Sequence, residues 1–376
     1  MSALYIHIPF CKQACYYCDF HFSTNTTLKS KLVNAICKEI ILQKDYLKEK
    51  HLKSIYFGGG TPSILSQKEL EAIFEQISKI YTWDNKTEIT LEANPDDLNI
   101  ENIRIFKNLG INRLSIGIQS FHENHLQFLH RVHNSQEAEN CVYIAQNEGI
   151  SNISIDLIYA IPADNHQIWE KDLKTALALG VSHISAYSLT IESKTVFGNR
   201  LQKGLMPPID DGFAAEQFQM LMDTLQNADF EHYEISNFAK NKAYSKHNSN
   251  YWKDGEYLGI GPSAHSYNHV SRQYNISNNS KYIESLDKQE LLYEIENLSW
   301  QDRLNDYLLT GLRTQWGCTW ERISQIIPQK ELTKEQKQIF EKYMAQSLLE
   351  SSSIGFRLTT QGKFFADQIA SDLFLV

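Results

Sequence analysis

Tyr5-Ile-His-Ile-Pro-Phe-Cys11-Lys-Gln-Ala-Cys15-Tyr-Tyr-Cys18-Asp-Phe20 is the stretch on which the reading of this chain turns. Three thiols fall within eight positions at the spacing C-x3-C-x2-C, directly after a short apolar strand that Pro9 ends. A loop of that kind closes around one cation or one cluster. Structural zinc takes four protein ligands in a tetrahedron, commonly from two separated cysteine pairs. Only three cysteines stand here, and no later C-x-x-C completes a set. An iron–sulfur cube also needs four ligands, one per iron, with thiolates as the usual donors. Three thiolates leave one iron open to a ligand from outside the chain. The rival is a small Cys3His zinc site with His7 or His21 as the fourth ligand.

With 376 residues, 42% hydrophobic and 22% charged, the chain suits one large α/β domain plus a smaller one. A net charge of −9 argues against nucleic-acid binding by bulk electrostatics. No apolar run approaches the ~20 residues that a membrane-spanning helix needs. The first residues enter a strand at once, so no signal peptide is expected. Cys37, Cys141 and Cys318 are scattered, which does not make a disulfide scaffold. A reducing, cytoplasmic setting is the expectation. Cys37 and Cys141 fall at apolar positions of predicted helices, where buried free thiols are common.

Outward from the cysteines, the pattern predicts a helix over 28–47 and a strand at 54–57. Gly58-Gly59-Gly60-Thr61-Pro62-Ser63 follows that strand. A capping box of Ser66 and Glu69 opens the next helix, whose apolar face runs through Leu70, Ile73, Phe74 and Ile77. Gly110-Ile-Asn-Arg-Leu-Ser115, Gly149-Ile-Ser-Asn-Ile-Ser154 and Gly180-Val-Ser-His-Ile-Ser185 share one template, 39 and 31 residues apart. In each, glycine ends a helix and a strand begins two residues later. Repeats of this length imply parallel strands with right-handed crossovers. Six strands are predicted, at about 3–8, 54–57, 87–92, 112–117, 152–157 and 182–187. A closed TIM barrel has eight strands in roughly 250 residues. The expected fold is therefore α/β, an incomplete, TIM-like (β/α)6 barrel open on one side. A smaller α+β region follows, with a strand around His232–Ser236 and a C-terminal module that resembles a winged helix. The boundaries read as 1–200, 201–300 and 301–376.

Parallel barrels place their chemistry at the carboxyl ends of the strands. Glu92, Gln119 and Asp156 lie there with the cysteines and the glycine turn. Glycines without Cβ let backbone amides approach a ligand, and a strand-end carboxylate such as Glu92 can accept bonds from ribose hydroxyls. Taken singly, each of these residues also fits an ordinary βα turn or a solvated surface charge.

Together they resemble the branch of the radical S-adenosylmethionine (radical SAM) superfamily that holds the oxygen-independent coproporphyrinogen III oxidases and the non-oxidase HemW haem chaperones. The matching stretches are residues 5–11, the cysteine triad, Gly58–Ser63, Glu92-Ala-Asn-Pro95, Ser115-Ile-Gly-Ile-Gln-Ser-Phe121, Leu129-His-Arg-Val-His133 and Asp156. The resemblance implies a [4Fe-4S] cluster on Cys11, Cys15 and Cys18, with S-adenosyl-L-methionine on the open iron. It implies cofactor contacts from Tyr5, Gly59, Gly60, Thr61, Glu92, Gln119, Arg131 and Asp156. Tyr17, just before the last cysteine, fits the aromatic position of the superfamily pattern.

Two departures separate the relatives. The oxidase resemblance calls for a further cysteine two residues after the last cluster ligand, where this chain has Phe20, and for a longer N-terminal extension. His247-Asn-Ser-Asn-Tyr-Trp252 instead resembles the H-N-x-x-Y-W signature of the chaperone branch. Imidazole is a familiar axial ligand of haem iron, so His247 is the expected haem residue. Its structural alternative is a histidine that only braces a loop. The resemblance thus implies a haem chaperone that serves haem-accepting apoproteins, while charge, hydropathy and cysteine usage give the expectation of no nucleic-acid partner, no transmembrane segment and a cytoplasmic setting. It leaves open a peripheral membrane contact and a homodimer. The alternative is a coproporphyrinogen oxidase using radical chemistry.

Overall fold

A computed structural model describes residues 2–375. Six parallel strands pair in chain order: β1 (Ser2–Ile8), β2 (Leu52–Gly59), β3 (Glu88–Ala93), β4 (Arg113–Gln119), β5 (Ile153–Tyr159) and β6 (His183–Ser188). These are the six strands expected from the sequence. Side chains alternate between the two faces of each strand. Leu114, Ile116 and Ile118 of β4 and Ile153, Ile155 and Leu157 of β5 are buried in the main hydrophobic core. The other face is polar and arranged in rows. Tyr5 pairs with Tyr56, Tyr56 with Thr90, and Thr90 with Arg113. One step higher, Glu92 pairs with Ser115, Ser115 with Ser154, and Ser154 with His183.

The helix-ending glycines behave as the repeat template requires. Gly110, Gly149 and Gly180 have φ of 89°, 89° and 66°, and the Ile111 and Ile150 amides turn back to donate to Phe106 and Ala145. The capping box of Ser66 and Glu69 is formed, and helix Gln67–Ser78 buries Leu70, Ile73, Phe74 and Ile77. The first helix is shorter than expected, Lys29–Leu42. Ile41 and Leu42 reach exposed positions, and Leu47 then folds back into the core.

Both edges of the six-stranded unit are covered. On one side lie β9 (Tyr257–Ile260), β10 (His265–Tyr267), β11 (Ser271–Asn275) and β12 (Tyr293–Asn297). On the other is the hairpin of β7 (Glu231–Glu234) and β8 (Asn237–Ala239), where the sequence suggested one short strand. The full order is β12-β11-β10-β9-β1-β2-β3-β4-β5-β6-β8-β7. β9 adds in parallel to β1, while β8 runs antiparallel to β6. Pairing of this kind satisfies edge backbone groups that would otherwise invite another chain. The C-terminal residues have their own core around Leu304, Leu308 and Leu312 of helix Trp300–Leu312. It is closed by a small sheet of β13 (Cys318–Thr319), β14 (Leu349–Ser351) and β15 (Gly355–Leu358). Among the described residues no helix is long and apolar enough to cross a membrane.

Glu39 fastens the 257–297 strands to the barrel. It is 1% exposed, on the first helix. Its carboxylate accepts from the Gly261 amide at 2.8 Å, Asn275 Nδ2 at 2.6 Å, the Tyr282 hydroxyl, and Gln43 Nε2 at 3.2 Å. Replacing it with Leu leaves these buried donors unpaired, at about 1–3 kcal/mol for each neutral group. Glu39→Leu is therefore expected to lower the denaturant midpoint far more than Glu39→Gln, which still accepts. Equal midpoints for the two variants would refute this role.

Candidate cluster and cofactor site

The cysteine loop leaves β1 at Pro9 and is closed at its neck. Phe10 pairs with Ser23, the Cys11 amide donates to the Ser23 carbonyl at 3.1 Å, and the Ser23 amide to the Pro9 carbonyl at 2.9 Å. Within it, the Cys18 amide donates to the Cys15 carbonyl at 3.3 Å, a tight turn that brings two thiols together. All three cysteines are free and partly exposed. By contrast, Cys141 and Cys318 are buried, and Cys37 Sγ lies 3.6 Å from the Ala72 carbonyl.

The far side of the loop is held by the Leu129-His-Arg stretch. Helix Glu123–Leu129 stops at His130, whose left-handed backbone (φ 59°) turns the chain toward the cysteines. His130 stacks on Tyr16 with ring centroids 4.2 Å apart, and its Nδ1 donates to the Ala14 carbonyl at 2.8 Å. Arg131 then reaches inward. It donates to Cys15 Sγ at 3.3 Å, Asn94 Oδ1 at 2.6 Å and the Gly117 carbonyl at 2.7 Å. Asn94 Nδ2 donates to Thr61 Oγ1 at 3.3 Å, and the Thr61 hydroxyl sits beside Cys11. A polar chain thus runs from Cys15 through Arg131, Asn94 and Thr61 to Cys11. Burial pushes the Cys11 thiol up to about 11 and Cys18 to about 12, and both Thr61 and Arg131 oppose the shift at Cys11. Tyr17 packs behind the loop against Leu129, Ile158 and Phe197.

The glycine turn lies against the same neck, with the Gly60 amide on the Ile8 carbonyl (2.9 Å) and the Thr61 amide on the Phe10 carbonyl (2.7 Å). Its glycines are required by the protein's own packing. A Cβ on Gly59, which has φ 106°, would lie 2.5 Å from the His7 ring, and one on Gly60 would lie 2.7 Å from the Phe10 carbonyl oxygen. The Gly59 amide donates to Glu92 Oε2 at 3.1 Å, and the Tyr56 hydroxyl to Glu92 Oε1 at 2.7 Å. Burial raises the Glu92 carboxyl to about 7, with Asp156 adding to the shift, and burial raises Asp156 to about 6. Arg113 opposes both shifts. Gln119 ends β4 with φ 69° and shares space over Gly117 with the Arg131 guanidinium.

The donor set fits the groups that the sequence implies. Three thiols share one loop, and Arg131 is placed to donate to a thiolate sulfur. A carboxylate offers about four acceptor positions, and Glu92 uses two, so capacity remains for hydroxyls of a bound nucleoside. Among the described residues Asp156 receives Ser115 Oγ, at 3.4 Å from each oxygen, and its neighbour Ser185. The Cys3His zinc alternative fits less well. His7 is committed through both ring nitrogens, to the Tyr5 hydroxyl (3.1 Å) and the His21 carbonyl (3.0 Å), and His21 Nε2 meets Asn279 Oδ1 at 2.8 Å.

Thus Tyr5, Gly59, Gly60, Thr61, Glu92, Gln119, Arg131 and Asp156 gather with the cysteines at one end of the barrel. His247, the residue expected to meet haem, lies apart from them with its ring nitrogens engaged by the protein. It is 1% exposed in helix Lys246–Trp252. Nδ1 meets Ser54 Oγ at 2.8 Å and Nε2 meets the Tyr251 hydroxyl at 2.7 Å, so neither nitrogen is free. Its ring stacks on Tyr56 at 4.8 Å. Tyr251 and Trp252 of the same motif do reach open space. They line a cleft of ≈ 500 Å3 with Tyr5, Phe20, Tyr257 and His265, against Tyr307 of the C-terminal helix. Sequence reasoning passed over Tyr56, Asn94 and Arg113 as site residues. Arg113 carried a signal: the fourth position of the repeat template holds Arg113, Asn152 and His183 in place of an apolar residue.

The model of the Radical SAM superfamily matches residues 5–176. The chain is 33% identical to the heme chaperone HemW of Bacillus subtilis over 98% of both chains. It is 32% identical to the mitochondrial radical S-adenosyl methionine domain-containing protein 1 of Bos taurus, over 99% of this chain and 87% of that one. The solved structure of Escherichia coli coproporphyrinogen III oxidase, HemN, superposes with a TM-score of 0.85 at 19% identity, covering 99% of this chain and 90% of that one. This likeness speaks to fold alone. The HemW match runs over nearly the whole of both chains, so this chain belongs to the radical SAM superfamily and, within it, to the HemW family of haem chaperones.

Proposed function

We propose that this chain carries haem and delivers it to haem-requiring proteins, with a [4Fe-4S] cluster on Cys11, Cys15 and Cys18 and S-adenosyl-L-methionine beside it. The supporting observation is the aromatic cleft that opens next to the cysteine loop. It is bounded on one side by Phe20 of that loop and on the other by Tyr251 and Trp252 of the signature motif. Flat aromatic walls suit a macrocycle, and the cleft volume lies inside the roughly 300–1,000 Å3 range of cofactor sites. The same point separates this reading from the oxidase. Phe20 is 71% exposed and faces the cleft where the oxidase resemblance calls for a thiol. It offers no acid–base or redox group. A bound cluster supplies an iron with one open coordination position. Around it, Arg131 holds the Cys15 sulfur, Thr61 steadies Cys11, and Glu92 and Asp156 accept donors of the nucleoside. The cytoplasmic setting and the service to respiratory apoproteins belong to this proposal.

The direct test pairs two assays on anaerobically reconstituted protein. Haem titration is expected to show saturable binding, and incubation with coproporphyrinogen III, reductant and S-adenosyl-L-methionine is expected to yield no protoporphyrinogen. Multiple turnovers without haem binding would reverse the assignment.

The cluster assignment predicts about four irons per chain, by the one-ligand-per-iron argument. Serine at position 11, 15 or 18 is expected to abolish that iron, whereas Cys37→Ser, Cys141→Ser and Cys318→Ser retain it. Iron that survives loss of Cys15 would disprove the ligand set.

Glu92 predicts a pH dependence for cofactor binding. Ribose hydroxyls donate to the ionised carboxylate, so binding releases a proton from a group that titrates near 7. Affinity for S-adenosyl-L-methionine is expected to rise as pH increases through about 7 and to level off above it. Glu92→Gln is expected to remove this step and to weaken binding by about 2 kcal/mol. Calorimetry across the pH range checks both, and a wild-type profile flat through that region would place the ribose elsewhere.

A further inference from the structure

Three histidines border the aromatic cleft: His7, His21 and His265. Both nitrogens of His7 and Nε2 of His21 are held by internal hydrogen bonds, as described above. His265 differs. It opens β10, is exposed, and packs edge-on against Tyr274 with centroids 4.7 Å apart. Among the described residues its ring receives no hydrogen bond. Burial and the nearby Arg272 lower its proton affinity, which favours the neutral imidazole that binds metals.

The phenols of the cleft are poor competitors for iron. Tyr267 donates to Asp254 Oδ1 at 2.5 Å, Tyr251 is tied to His247, and Tyr307 accepts from the Thr319 amide at 2.8 Å. Burial raises Tyr257 to about 12, away from the phenolate that ligates haem. Of the three histidines lining this space, His265 is the one with neither ring nitrogen hydrogen-bonded among the described residues, and Phe20, Tyr251 and Trp252 present the flat surfaces.

We propose that His265 is the axial ligand of haem iron in this cleft, and that His247 is a positioning residue that sets the Tyr251 wall through its 2.7 Å hydrogen bond. This rests on the haem-carrying reading above. The motif histidine then acts one layer behind the haem, and iron ligation passes to a strand outside the motif. His247 also stacks on Tyr56, whose hydroxyl donates to Glu92. The same side chain therefore touches the cofactor side and the cleft side.

The test is titration of ferric haem into the cluster-reconstituted full chain, followed by absorbance and electron paramagnetic resonance. Wild type is expected to give an imidazole-ligated spectrum. His265→Ala is expected to lose it, with added imidazole restoring it, and His265→Met is expected to convert it to a thioether-ligated one. His247→Ala is expected to keep the imidazole signature at weakened affinity, and Tyr251→Phe to reproduce that weakening. An unchanged spectrum in both His265 variants would overturn the ligand assignment while leaving the haem-carrying reading intact. So would loss of the imidazole signature in His247→Ala alone. A wild-type chain that binds no haem overturns both.

Discussion

The guanidinium of Arg131 is the point at which the cysteine loop and the barrel meet. Its donors go to Cys15 on the loop, Asn94 beyond β3 and the Gly117 carbonyl of β4. A planar guanidinium with fixed donors holds such a junction better than an ammonium would. The residue arrives there because His130 ends a helix in a left-handed turn, and because that histidine also grips the loop backbone at Ala14. Among the ties of this loop to the barrel, which include Lys12 on Asp96 at 2.6 Å and the Phe197 amide on the Tyr16 carbonyl at 3.0 Å, the clasp is the one that reaches the Cys15 sulfur.

Below the clasp, the barrel interior concentrates polar groups that an ordinary core excludes. Arg113 is 1% exposed, with Glu88 4.0 Å away and Glu92 and Asp156 within its field. His183 is held between Ser154 at 2.7 Å and the Tyr233 hydroxyl at 2.7 Å. Burying such groups costs energy unless each finds a partner, and the strand register supplies most of them by aligning polar rows. Among the described residues Arg113 Nε and Nη1 find no hydrogen-bond acceptor. This positive charge under two carboxylates opposes their tendency to hold protons, and so bears on how readily they accept a cationic nucleoside.

The six parallel strands, their glycine-ended helices and the capping box were legible because each rests on local rules: alternation, the left-handed glycine and side-chain caps. The sheet extension was less so. β9 and β10 are short, and nothing in Tyr-Leu-Gly-Ile or His-Ser-Tyr marks a partner far away in the chain. β9 finds β1 through long-range packing anchored by Glu39, a carboxylate that an amphipathic helix reading places no further than its own surface. The motif histidine shows the same limit. His247 looked like a ligand by residue type, and only its contacts with Ser54 and Tyr251 show it as a brace.

By itself, the sequence determined the thiol spacing, the βα repeat and the family resemblance. Those depend on residue type and on separations within a few tens of residues. Tertiary structure decided which imidazole is free, which carboxylates share a field, and how Phe20 comes to face Tyr251 and Trp252 across one cleft. Hydrogen-bond occupancy and proton affinity belong to neighbours brought together from distant segments. A histidine's chemistry is set by what fills the space around its two nitrogens, and that is known only when the chain has folded.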